Sequence, residues 1–216
     1  MLESMKFTLS SSALETFNRD RQVEIEGFYD ADLINAEIER LLKGVNPREA
    51  MVQGRDLFRK SETLHKALQL SALGKVIYEL IAVRPLRFAA DQLLVSAEHP
   101  IERKEVAAFL KKTGSLKERS CLSEVVLGAM IALKAKEERL PFSKTAGNVV
   151  FFDPDISVPV EWLAENLGDR YWLLTFTTLH AQYIYNDRDP QNHYLKHLGY
   201  VYGDKLKDTL SPVIFR

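Results

Sequence analysis

The chain has 216 residues, 46% hydrophobic and 27% charged, with a formal net charge of −1. That length suits one large domain or one domain with an appendage, and the balance is ordinary for a globular protein. The charge excludes a global attraction to nucleic acid or acidic membranes. No window of about 18 uncharged apolar residues exists to span a membrane. The single cysteine, Cys121, rules out an intrachain disulfide and fits a reducing compartment, so a cytoplasmic location is expected. Cys121 precedes an apolar run and reads as a buried, inert thiol. The N-terminus lacks the apolar core of a secretory signal.

In chain order, Ser10 to Ser12 can cap a first helix from Ala13 to about Asp20, with Leu14 and Phe17 on one face. Residues 23–28 alternate apolar and polar, a half-exposed strand pattern. Asp30 or Asp32 then caps a second helix, where Ile34, Ile38, Leu41 and Leu42 make an apolar stripe and Gly44 ends it. Ser61 opens helical stretches that continue through Leu73, Ile77, Leu80 and Ile81 until Arg84-Pro85. From Leu86 the pattern changes. Residues 86–95 read as a strand, 101–112 as a helix and 111–119 as a basic connection. Residues 122–133 read as a buried strand in which Gly128 suggests a bulge.

Residues 147–186 organise the rest. Val149 to Phe152 is a short apolar strand stopped by Asp153-Pro154. Residues 171–186 are rich in aromatic and β-branched side chains and contain no Pro or Gly. At about 3.3 Å per residue that run would extend roughly 50 Å, so it is one bent strand or two strands around a bend. Val149, Phe151, Trp172, Leu174 and Phe176 are expected inside one β core. A last helix opens at Asp189-Pro190 and ends at Gly199, ahead of the apolar tail Val213 to Phe215. Helices first and strands later, without βα alternation, give an α+β class. We expect one domain over 1–216, mainly helical over 1–84 and mainly β over 85–216.

Chemistry-bearing motifs are sparse. None of the five histidines is followed two places on by Asp or Glu. His193 and His197 stand four apart on a helix and could share a metal, but the stretch lacks a zinc protease's Glu; a solvated or capping pair is the alternative. His180 reads as a core histidine. The common nucleotide, hydrolase and zinc-ribbon signatures are absent. Lys111, Lys112, Lys117 and Arg119 cluster without aromatic interleaving, so no nucleic-acid partner is expected.

The order of pieces resembles the phytanoyl-CoA dioxygenase-like branch of the Fe(II)/2-oxoglutarate oxygenases. Glu26-Gly27-Phe28 leads into a helix, a helical middle reaches the strand from Leu86, and Ile131-Ala132-Leu133 resembles a family strand end. Gly147 to Phe152 and then Arg170-Tyr171-Trp172-Leu173-Leu174 complete the series, which covers most of residues 15–186 in short motifs. The resemblance implies a double-stranded β-helix (jelly-roll, cupin-like) with N-terminal helices packed on the sheet. It also implies that Arg170 stands where the family's arginine pairs with a carboxylate of 2-oxoglutarate, as a planar fork can; a surface position at a strand start is the alternative. The family's His-x-Asp/Glu motif should lie between Leu94 and Ala129, where only His99-Pro100-Ile101 offers an imidazole. Its second His should lie near residues 156–162, where none occurs. An iron triad of two imidazoles and a carboxylate is therefore missing.

The expected protein is thus an oxygenase-like chain without a recognisable metal site, binding a small carboxylate metabolite or a protein partner. No metal or cofactor is expected, no membrane partner, and catalysis is left open. Under the alternative, an active enzyme would use Fe(II) and 2-oxoglutarate with atypical ligands drawn from His180, Asp91, His99, Asp153 or Asp155. A third reading is an unrelated α+β scaffold.

Overall fold

The computed structural model describes residues 8–46, 50–68, 70–95, 114–136, 139–159, 168–189 and 191–216. The helix expected over 101–112, and His99, lie outside these residues.

Local chemistry starts each N-terminal helix. Ser10 caps α1 (Ser11–Asp20) by accepting from the Ala13 amide, and Asp30 caps α2 (Ala31–Leu41) by accepting from Leu33. Between them runs β1 (Gln22–Ile25), which ends at a turn where Gly27 has φ +58°. Then come α3 (Ala50–Gln53), α4 (Leu57–Lys60), α5 (Glu62–Ala67) and α6 (Leu70–Ile81). Ser61 caps α5 as expected.

The strands are β2 (Leu86–Val95), β3 (Gly114–Ser115), β4 (Val125–Lys134), β5 (Val149–Phe152), β6 (Ser157–Val158), β7 (Arg170–Thr178) and β8 (Val213–Phe215). A capping box of Ser115 and Glu118 starts the short α7 (Leu116–Arg119), and α8 (Gln191–His197) follows β7. Six strands form one curled antiparallel sheet in the order β1-β5-β4-β7-β2-β8, and β3 pairs with β6 separately. The fold is mixed helix and sheet, as the α+β reading expects.

The sheet's two faces carry different tasks. Phe88 and Leu93 on β2, Leu127, Ala129 and Ile131 on β4, Val149 and Phe151 on β5, and Trp172, Leu174 and Phe176 on β7 share one buried cluster with α1, α2, α4, α5 and α6. All five residues expected in the β core lie there. Leu94, Met130, Phe152 and Tyr171 alternate onto the other face and pack with Phe142 and Val158.

Gly128 is not a bulge. It pairs in register with Phe152 and Thr175, and β4's register shifts fall elsewhere. A Cβ there would sit 2.4 Å from the Phe152 ring and 2.5 Å from Leu116, so the glycine makes room for both.

His180 also departs from expectation. β7 ends at Thr178, and His180 sits exposed in the turn that follows, its amide donating to Thr178 Oγ1. Aromatic composition continues to Tyr185, but beyond the turn the chain makes only isolated bridges, Leu122 to Tyr183 and Gln182 to Lys205.

Candidate functional site: a cavity behind the sheet

A cavity of about 90 Å³ lies on the sheet's second face. At roughly 30 Å³ per water it has room for about three waters, or one small metabolite. Gln92 and Leu94 of β2 and Leu173 and Thr175 of β7 make its sheet wall. Leu116 and Arg119 of α7, Val158 of β6, Leu195 of α8 and Leu206 close around it. Most of the lining is apolar, so the charged groups decide what it prefers.

Asp56, Arg59 and Tyr194 form one polar wall. Asp56 is held at φ 57° and accepts from Arg59 Nε at 2.7 Å, from Arg59 Nη2 and from Tyr194 Oη at 2.7 Å. Arg59 Nη1 donates to the Leu210 carbonyl. The triad ties α4, α8 and the C-terminal segment together. Burial is the main cause that raises the Tyr194 hydroxyl's pKa, and its bond to Asp56 adds to it.

Asp91 also lines the cavity, but its carboxylate is turned to the helix layer. It accepts from the Leu57 amide at 2.7 Å and the Phe58 amide at 3.0 Å, starting α4. Burial pushes this carboxyl up to about 7, and neighbouring Asp56 adds to the rise. Asp91 is a structural cap.

Arg119, Arg188 and Asp189 form the third charged group. The Asn186 amide donates to the carbonyls of Glu118 at 2.9 Å and Ser120 at 3.1 Å. Asp189 Oδ2 accepts from the Cys121 amide at 2.5 Å. These bonds hold the segment bearing Arg188 against the one bearing Arg119, and both arginines line the cavity. Cys121 is buried, and burial with the adjacent Asp189 pushes its thiol far above the usual range. That suppresses the thiolate and fits the inert reading.

Arg170, expected to grip a carboxylate inside the barrel, is turned the other way. It alternates with Trp172 and Leu174 toward the helices, and Nη1 donates to Asn35 at 3.2 Å and Glu39 at 2.9 Å, both on α2. It does not line the cavity. The arginines that do are Arg59, Arg119 and Arg188. In the sequence Arg119 belongs to a basic connection, and no motif marks Arg188.

The atypical metal ligands are not brought together. His180 is exposed, Asp91 caps α4, Asp153 pairs with Arg21, and Asp155 pairs with Lys117 at 3.3 Å. His197 is exposed on α8, and the side chain of His193 lies outside the described set. Among the described residues no group of three or more His, Cys, Asp or Glu side chains is placed to hold a metal. The described lining offers no imidazole, and its carboxylates accept from amides, Arg59 and Tyr194. Fe(II) does not fit the donor set of the described lining.

The curled antiparallel sheet with helices on one face is similar in fold to several solved non-heme alpha ketoglutarate dependent enzymes. Two solved structures from nogalamycin biosynthesis carry it: the non-heme alpha ketoglutarate dependent carbocyclase SnoK and the epimerase SnoN. SnoK is 15% identical with a TM-score of 0.66, covering 95% of this chain and 96% of its own. SnoN is 14% identical with a TM-score of 0.65, covering 94% and 97%. HygX from Streptomyces hygroscopicus, solved with nickel and 2-oxoglutarate bound, is 12% identical with a TM-score of 0.52, covering 92% and 98%. At these identities the likeness is one of fold. No family model matches the chain, and no curated protein matches its sequence. No described helix is long and apolar enough to cross a membrane.

Proposed function

We propose that this chain is a non-catalytic relative of the 2-oxoglutarate oxygenases that binds a small carboxylate metabolite in the cavity behind its sheet. In this reading the fold is a double-stranded β-helix: β3, β6 and the segments after β7 stand where its second sheet would close over the first. The chain acts as one domain in a reducing, cytoplasmic setting.

The observation that carries the reading is that two arginines, Arg119 and Arg188, line one mostly apolar cavity whose described lining holds no imidazole. A guanidinium fork beside partly water-excluded walls attracts a carboxylate more strongly than a surface cation does. Arg170 then serves as a strut between β7 and α2.

The test is a thermal-shift series with millimolar carboxylates. A ligand at 100 times its dissociation constant stabilises by about 2.7 kcal/mol and raises the melting temperature by several degrees. The shift is expected to disappear in Arg119→Ala/Arg188→Ala and to survive in Arg170→Ala. If no carboxylate shifts the parent, the reading fails; if Arg170→Ala alone abolishes the shift, the ligand lies on the helix side.

A further inference from the structure

We infer that the groove between α1 and the outer edge of β1 takes an extended basic peptide, which adds a strand to the sheet. This groove shares no described lining residue with the carboxylate cavity.

Hydrogen-bond parity shows which groups the edge offers. β1 stands at the end of the sheet order and, among the described residues, pairs only with β5. The Asp153 amide donates to the Arg21 carbonyl, and the register continues with Val23 opposite Phe151 and Ile25 opposite Val149. Bonded and non-bonded residues alternate along an antiparallel pair, so the odd-numbered positions face β5. The N–H and C=O groups of Gln22 and Glu24 therefore point to the outer side. Such an edge is a template for a further strand.

The edge opens into a groove of about 810 Å³. Residues 22–26 form one wall, and Ser12, Ala13 and Thr16 of α1 contribute to the other. At about 3.4 Å per residue the strand wall runs roughly 17 Å, the length of a five-residue extended segment. The small side chains on α1 leave room for a backbone beside the edge. Residues paired across neighbouring strands share a face. A peptide side chain opposite Val23 or Ile25 thus lies toward the helix layer, where small or β-branched apolar groups fit. One opposite Glu24 lies on the other face.

Charge selects the occupant. Asp20, Glu24 and Glu26 line the groove. Glu24 accepts from neutral donors, the Ser143 hydroxyl and the Asn148 side-chain amide, and neither cancels its charge. Lys or Arg at alternate peptide positions meets this carboxylate as a cross-strand pair of opposite charge. A second copy of this chain paired through β1 would bring acidic side chains together, a device that keeps sheet edges from pairing with themselves.

The test titrates the full chain with a labelled Lys-Val-Lys-Val-Lys peptide, followed by fluorescence anisotropy. Binding is expected, and added salt should weaken it. A Glu-Val-Glu-Val-Glu peptide should bind at least about tenfold more weakly. N-methylation of one alternate set of peptide amides should cost about tenfold or more, and of the other set should change little, because only one edge of an added strand meets β1. Glu24→Pro removes an outward N–H and should lose binding. Thr16→Arg, which fills the groove from α1 and leaves the strand intact, should lose it too. Arg119→Ala/Arg188→Ala should bind the peptide as the parent does, which separates this site from the carboxylate reading. Equal effects of the two N-methylated sets, equal affinity for the acidic peptide, or no binding would each overturn the inference. So would a parent dimer that Glu24→Pro dissolves, which makes a second copy the occupant. Binding that requires removal of residues 1–7 would overturn it as well, in favour of the chain's own N-terminal segment.

Discussion

Phe176→Ala is expected to lose about 3–5 kcal/mol of stability. Phe176 is fully buried in the helix-side core, near the C-terminal end of β7. It lies opposite Phe88 on one neighbouring strand and Leu127 on the other. Its ring stands 5.7 Å from Phe88, which meets Phe58 of α4 at 4.6 Å. Both contacts are edge-on, the arrangement aromatic pairs prefer. Truncation removes the transfer energy of the ring and leaves a void that α4 and β2 can only partly close. Chemical denaturation should show a lower midpoint with an unchanged slope. A variant as stable as the parent would mean that β7 does not carry the core between sheet and helices.

A second large effect is expected at Asp91, and its sign can be worked out. The folded carboxyl is pushed up to about 7 from its ordinary value of 3.8. Between those values the folded state binds the proton that the unfolded state has released. The stability contributed by the protonated form is therefore fully present below about pH 4 and is lost as pH rises through about 7. The parent should lose about 2–3 kcal/mol between pH 5 and pH 8 from this group. Asp91→Asn removes that dependence. It also deprives one of the buried amides of Leu57 and Phe58 of its acceptor, which costs about 1–3 kcal/mol at low pH. Urea midpoints across pH 5 to 8 check both. A parent with flat stability over that window would mean the two amide bonds outweigh burial and hold the carboxylate ionised.

Much of the sheet is legible in the sequence because one face packs on helices and the other is also enclosed. β2 occupies the span expected from its apolar run, and Val149 to Phe152 stops at Asp153-Pro154 as the breaker dictates. Helix starts are legible where a hydroxyl or carboxylate caps them, at Ser10, Asp30 and Ser61. The two-residue strands β3 and β6 carry no period that a sequence could show. His180 was misplaced because aromatic composition runs past Thr178 while the backbone turns there.

Arg170 shows the limit of reading a site from a motif. The residue is present at the start of β7, as the resemblance implies, but strand side chains alternate faces, and parity with Trp172 and Leu174 sends it to α2. The cavity arginines were illegible for the opposite reason. Nothing local distinguishes Arg119 and Arg188. They line one cavity because β7 and the turn after it bring the segment at Asp189 back to Cys121, 68 residues away in sequence.

The most direct measurement of the central claim is where a carboxylate sits. A crystal of the protein soaked with 3-bromopropionate gives an anomalous signal for the bromine and density for the head group. The account predicts carboxylate oxygens about 2.7–2.9 Å from guanidinium nitrogens of Arg119 and Arg188, with the bromine against Leu94 and Leu173. An occupied site at Arg170 beside α2, or a cavity that stays empty while the ligand binds elsewhere, would contradict it.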